Sequence, residues 1–200
     1  MAVLTLMAMS GIARAYRRWC TLGLMTAMTV FLNSPATTAA PSAANAEYQI
    51  KAVFLFNFAQ FVTWPERAFE RPKSPLIIGV LGDDPFGAYL DEVVRGEKVG
   101  EREITALRFH RVEEINECHI LFVSRSEAGQ LDKIIAHLKG RSVLSVSDID
   151  SFSRQGGMVR FVTENSKIRM RINLEVAKAA GLEISSKLLR PATIVTEEKN

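Results

Sequence analysis

Leu76-Ile77-Ile78-Gly79-Val80-Leu81 is an unbroken apolar run, and Gly82-Asp83-Asp84-Pro85-Phe86-Gly87 follows it directly. Six apolar residues without a polar alternate mark a strand covered on both faces. The second stretch is a turn, and Pro85 suits the first turn of a helix predicted over Ala88–Val94. Such a strand belongs in a mainly parallel sheet, because parallel strands need crossover helices and those helices cover both faces.

The same alternation continues on either side. Residues 47–62 contain neither Gly nor Pro and are strongly apolar, which predicts a long helix ended before Trp64-Pro65. Strands are expected at 103–109, 118–124 and 143–146, with Val112–Glu117 as a turn or short helix. Ser126 is expected to cap a helix running to about Leu138, stopped by Gly140. Residues 158–163 and 167–173 read as a hairpin around Glu164-Asn165-Ser166. A helix over 174–180 ends at Gly181, and 184–189 read as a last helix. The predicted fold is therefore a single α/β domain: a mainly parallel, doubly wound sheet flanked by helices, with an antiparallel hairpin at one edge.

Charge separates the first 46 residues from the rest. The chain has 200 residues and a formal net charge of +3. Arg14, Arg17 and Arg18 are the only charged residues before Glu47, so the remaining 22 Lys+Arg balance 22 Asp+Glu. The totals show no basic footprint of the kind nucleic-acid binders carry. The basic segment 14–18 leads into the uncharged stretch Trp19–Leu32, 14 residues long and short for a bilayer span. A small-residue run follows, and Ala44-Asn45-Ala46 fits a signal-peptidase site better than Ala39-Ala40. This order predicts a cleaved secretory signal over residues 1–46 and a domain over 47–200. That domain keeps one cysteine, Cys118, beside the apolar run Ile120-Leu121-Phe122-Val123, which argues for an inert buried thiol.

Little in the residues points to covalent chemistry. His110, His119 and His137 are scattered without metal-ligand spacing, so no metal site is expected. Gly156-Gly157 lacks the lysine and hydroxyl of a phosphate loop, and Ser185-Ser186-Lys187 has no placed base, so neither a cofactor nor a catalytic group is assigned. Polar groups gather instead at the predicted strand ends: Asp83 and Asp84, then Ser124 and Arg125, then Ser147 and Asp148. Open α/β sheets hold ligands in that crevice, which makes a small-solute-binding protein the alternative reading; turn and cap duties explain the same residues. Two apolar stretches are partner-surface candidates: Phe54, Phe58 and Phe61 on the long helix, and Ile184, Lys187, Leu188 and Arg190 near the C-terminus.

Several motifs in order carry a resemblance. They are Glu47-Tyr48-Gln49-Ile50-Lys51-Ala52-Val53-Phe54-Leu55-Phe56-Asn57-Phe58, Phe61-Val62-Thr63-Trp64-Pro65, the stretch Gly79–Gly87, Cys118–Ser124, Val146-Ser147-Asp148, Gly156-Gly157-Met158, Ile172-Asn173-Leu174 and Gly181–Leu189. In this order they resemble the YfiR-like family of Gram-negative periplasmic proteins. The resemblance implies a periplasmic regulator, not an enzyme. It implies restraint of a membrane-bound diguanylate cyclase through that enzyme's periplasmic sensor domain, release by a sequestering outer-membrane lipoprotein, and a homodimer. The named family member is stabilised by disulfides; here Cys118 has no partner in the predicted mature domain, so redox control does not carry over.

Overall fold

The computed structural model describes residues 43–195. The secretory signal expected over 1–46 lies outside them for all but its last four residues, which form the first turn of helix α1 (Ala43–Phe61). The strands are β1 (Val62–Thr63), β2 (Leu76–Leu81), β3 (Lys98–Val99), β4 (Arg102–Phe109), β5 (Ile120–Val123), β6 (Leu144–Ser147), β7 (Val159–Glu164), β8 (Lys167–Asn173), β9 (Glu183–Ile184) and β10 (Thr193–Val195). The other helices are α2 (Ala88–Val94), α3 (Leu131–Leu138), α4 (Leu174–Ala179) and α5 (Ser186–Leu189). Among the described residues no helix is long and apolar enough to cross a membrane.

Eight strands form one sheet in the order β10-β8-β7-β6-β5-β2-β4-β3. The block from β4 to β7 is parallel throughout, as the apolar runs predicted. Alternate residues of each strand face opposite sides, and the core divides accordingly. Ile78, Val80, Ile120, Phe122 and Val146 pack with α1, α2 and α4. Leu81, Leu121 and Val123 pack with α3 and Phe152 on the other face. Every residue of β2, β5 and β6 is buried; β2 and β5 are unbroken apolar runs, whereas β6 (Leu144-Ser145-Val146-Ser147) alternates and satisfies its buried serines on backbone groups. Gly79 makes room on the α3 face: a methyl group there would stand 2.6 Å from the Phe109 ring and 2.9 Å from Cys118 Sγ.

The hairpin β7–β8 pairs Glu164 with Lys167, and its two loop residues Asn165 and Ser166 both take positive φ (50° and 58°), the backbone of a type I′ turn. Strand β10 lies outside it, parallel to β8. Strands β1 and β9 form a separate antiparallel pair joining the end of α1 to the C-terminal segment, so the helix expected over 184–189 begins only at Ser186. Helix α4 is capped by Asn173, whose buried Oδ1 accepts the Val176 N–H at 3.1 Å. Asn173→Ala is expected to cost about 1 kcal/mol, read as a lower urea midpoint at unchanged slope. An unmoved midpoint would show the cap to be dispensable.

Candidate functional site

Strand β2 is flanked by β4 on one side and β5 on the other, so successive connections leave it in opposite directions. Such a reversal opens a crevice at the carboxyl ends of the two strands where α/β proteins place ligands. Here Gly82 follows β2 and Ser124 follows β5. Polar groups of the chain itself occupy the gap. The Asp83 N–H donates to Ser126 Oγ at 3.0 Å, and Ser126 Oγ meets Glu127 Oε1 at 3.1 Å. Gly82 has φ +86°, and a Cβ there would lie 2.3 Å from Ser126 Oγ and 2.7 Å from Glu127 Oε1. The neighbouring amides are committed too: Gly82 N–H to Phe109 O, Ser124 N–H to Leu81 O, and Phe86 N–H to Asp84 Oδ1. Ser126 therefore does not cap a long helix. Arg125–Gln130 form a 3-10 turn that contains Ser126, and α3 starts after it with Gln130 at its N-cap; the Ser126 hydroxyl bonds across the crevice instead.

The six strand-end residues separate into different networks. The Asp83 side chain is exposed. Asp84 turns toward β4, where Arg108 Nε donates to it at 2.9 Å while the same guanidinium grips Asp91 at 2.6 and 2.7 Å. Ser124 is buried, and Ser147 bonds backbone alone, donating to Val123 O at 2.7 Å and accepting from Ile149 N at 3.1 Å. Only Arg125 and Asp148 meet: Arg125 Nε lies 3.2 Å from Asp148 Oδ1, an ion pair without hydrogen-bond alignment.

Asp148 is the centre of a cluster supplied by α1. Lys51 Nζ donates to Asp148 Oδ2 at 2.6 Å and also lies 2.6 Å from Glu47 Oε1. The Tyr48 hydroxyl donates to the same Asp148 oxygen at 2.9 Å, and Lys51 Nζ sits 4.3 Å from the Tyr48 ring centroid. Both charged side chains are out of water, Lys51 at 1% exposure and Asp148 at 2%. Burial alone would raise the Asp148 pKa; the bond and charge of Lys51, with Tyr48 and Arg125, overcome it and hold the carboxyl below its ordinary value. Burial and then the Asp148 charge push the Tyr48 phenol up to about 12. The Asp148 charge raises the Arg125 pKa. The cluster floors a recess of about 350 Å³ whose rim includes Asp150 and Arg160, themselves an ion pair.

Glu47, Tyr48 and Lys51 were not among the residues expected at the strand ends. Lys51 is 97 positions from Asp148, a separation no local pattern reports. The signal available was the Glu47–Lys51 spacing of four, which places opposite charges on one face of a helix. Cys118 is buried and makes no disulfide among the described residues, and burial pushes its thiol up to about 12, which makes it an inert thiol.

The two partner-surface candidates adjoin one another. Val62 of β1 pairs with Ile184 of β9, and Lys187 Nζ lies 5.5 Å from the Phe61 ring centroid. Phe58 and Leu188, expected at that surface, are core residues instead. Phe58 projects inward from α1 and stacks on Phe161 at 5.9 Å, and Leu188 is the one buried residue of α5. Phe54, Phe61 and Ile184 are half-buried, while Lys187 and Arg190 are exposed. The outer face of α1 adds two residues that the aromatic pattern did not single out, Ile50 at 50% and Val53 at 40% exposure.

A family model described as YfiR/HmsC-like matches residues 48–193. No curated protein matches the chain.

Proposed function

The chain belongs to the YfiR/HmsC-like family, and from that premise we propose that it is an exported periplasmic regulator acting through protein–protein contact. It holds the periplasmic sensor domain of a membrane-bound diguanylate cyclase in its inactive state. A sequestering outer-membrane lipoprotein competes for it, and the working form is a homodimer. No step alters a covalent bond. A regulator of this kind shifts its target only through unequal affinity for the target's two states.

The observation that carries the reading is the outer face of α1. Ile50, Val53, Phe54 and Phe61 recur at helical spacing, and Ile184 and Lys187 extend them across the β1–β9 pair. Apolar side chains this exposed, with aromatics beside them and a lysine at the margin, have the composition of an interface core. The strand-end crevice supports solute binding less well, because its amides and the Ser126 and Glu127 side chains already satisfy one another.

Ile50→Asp and Val53→Asp should each weaken binding to a purified cyclase sensor domain at least about 10-fold, since each places a charge in a desolvated contact. Both positions are already exposed, so circular dichroism and thermal midpoint should stay near wild type. Surface plasmon resonance on immobilised sensor domains reads the effect. Unchanged affinity in both folded variants would remove this face from the interaction.

A further inference from the structure

Away from the α1 face and the strand-end cluster, a second cavity of about 700 Å³ opens where α3 and α4 end. Its volume falls within the range of small-molecule sites, roughly 300–1,000 Å³. The walls are apolar: Ile135 and Leu138 from α3, Met158 before β7, and Val176 and Ala179 from α4. Two cations stand among the lining residues, Lys139 and Arg154, and among the described residues no carboxylate lines the cavity. Both are exposed, and neither belongs to the ion pairs formed among the described residues. Lys139 sits just past the last turn of α3, where its charge complements the helix carbonyls; Arg154 lies in a turn with no such partner. On the wall, the buried Ser145 hydroxyl accepts the Met158 N–H at 3.1 Å, which leaves its own proton to donate.

We propose that this cavity binds a small amphipathic acid, with an aliphatic chain against the α3 and α4 side chains and one anionic head between Lys139 and Arg154. The charge pattern selects the class. Both cations are hydrated, so a neutral apolar ligand gains nothing from them, and a cationic one meets them as like charges. An anion gains a bidentate partner in Arg154 and a second charge in Lys139. The inference is independent of the partner reading, since none of these residues lies on the α1 surface.

The test titrates decanoate into the purified protein by isothermal titration calorimetry, with decanol as the head-group control. Saturable one-to-one binding of decanoate is expected, at least 10-fold tighter than decanol. The double variant Lys139→Glu/Arg154→Glu should lose at least 10-fold for decanoate and leave decanol unchanged. Ala179→Trp, at an exposed wall position, should abolish binding of both by filling the cavity. Should Ala179→Trp fail to fold, the charge-reversal arm decides alone. Equal affinity for acid and alcohol overturns the proposal, as does decanoate binding untouched by charge reversal. Sedimentation with phosphatidylglycerol vesicles in the absence of saturable decanoate binding also overturns it, by assigning the cations to a lipid surface.

Discussion

Asp148→Ala is expected to lower the unfolding free energy by about 3–5 kcal/mol, the usual consequence of leaving a buried charge without its partner. Lys51 would keep the Tyr48 ring and Glu47, whose side chain is partly hydrated, and would lose its 2.6 Å bond inside the domain. The Tyr48 hydroxyl would lose its acceptor as well. Arg125 matters less, because its exposed side chain returns to water at little cost. Lys51→Met should destabilise through the converse defect, a desolvated carboxylate left with Tyr48 and an imperfectly aligned guanidinium. The double variant Lys51→Met/Asp148→Ala is the decisive arm. It removes both desolvation penalties and should be more stable than either single variant. Urea denaturation of the four proteins gives the coupling directly. Strict additivity would show that the pair is not interacting, whatever its separation.

That pair also marks where sequence reasoning stopped. The parallel block was legible because burial on both faces writes itself into β2 and β5 as unbroken apolar runs, with helix signals between the strands. The hairpin was legible because Asn165 and Ser166 sit where a tight turn requires positive φ. Strands β1, β3 and β9 have two residues each, and β10 has three, too few for any periodicity. The strand-end residues lie at the carboxyl edge of the sheet, yet proximity to that edge does not say which groups converge. Asp84 was drawn away by Arg108, and Asp148 was claimed by a lysine from the far end of the chain. On α1 the aromatic residues drew attention, but aromatics contribute large area to a core as readily as to an interface. Phe58 went inward, and the less conspicuous Ile50 and Val53 face out.

The second large effect is a loss of stability in mild acid that originates at His119. Its main chain stitches three strands together: its N–H donates to Ile77 O at 2.9 Å, and its carbonyl accepts from Leu144 N–H at 2.8 Å and from Trp64 Nε1 at 3.1 Å. The ring is stacked on Phe69 at 4.3 Å and buried, and Nδ1 accepts the Ile77 N–H at 3.0 Å. An accepting Nδ1 places the single ring proton on Nε2. Charging the ring would put a second proton where the Ile77 N–H already points. Burial pushes the imidazole pKa down to about 4, the nearby Arg102 charge acts in the same direction, and the Ala68 backbone offsets part of it. Because the folded value lies below the unfolded 6.5, the unfolded chain takes up the proton first. The stabilisation is complete above the unfolded pKa and drains away as pH falls from 6.5 toward about 4, by about 3 kcal/mol in all. Asp148 acts in a lower window: its carboxyl, depressed from 3.8, supplies stability that is lost only as pH drops below that value. His119→Asn keeps an acceptor for Ile77 and removes the titration. Urea midpoints measured between pH 7 and 4 should fall steeply for the wild type and stay much flatter for the variant. An identical slope in both proteins would mean that protonation of this ring is not what acid acts on.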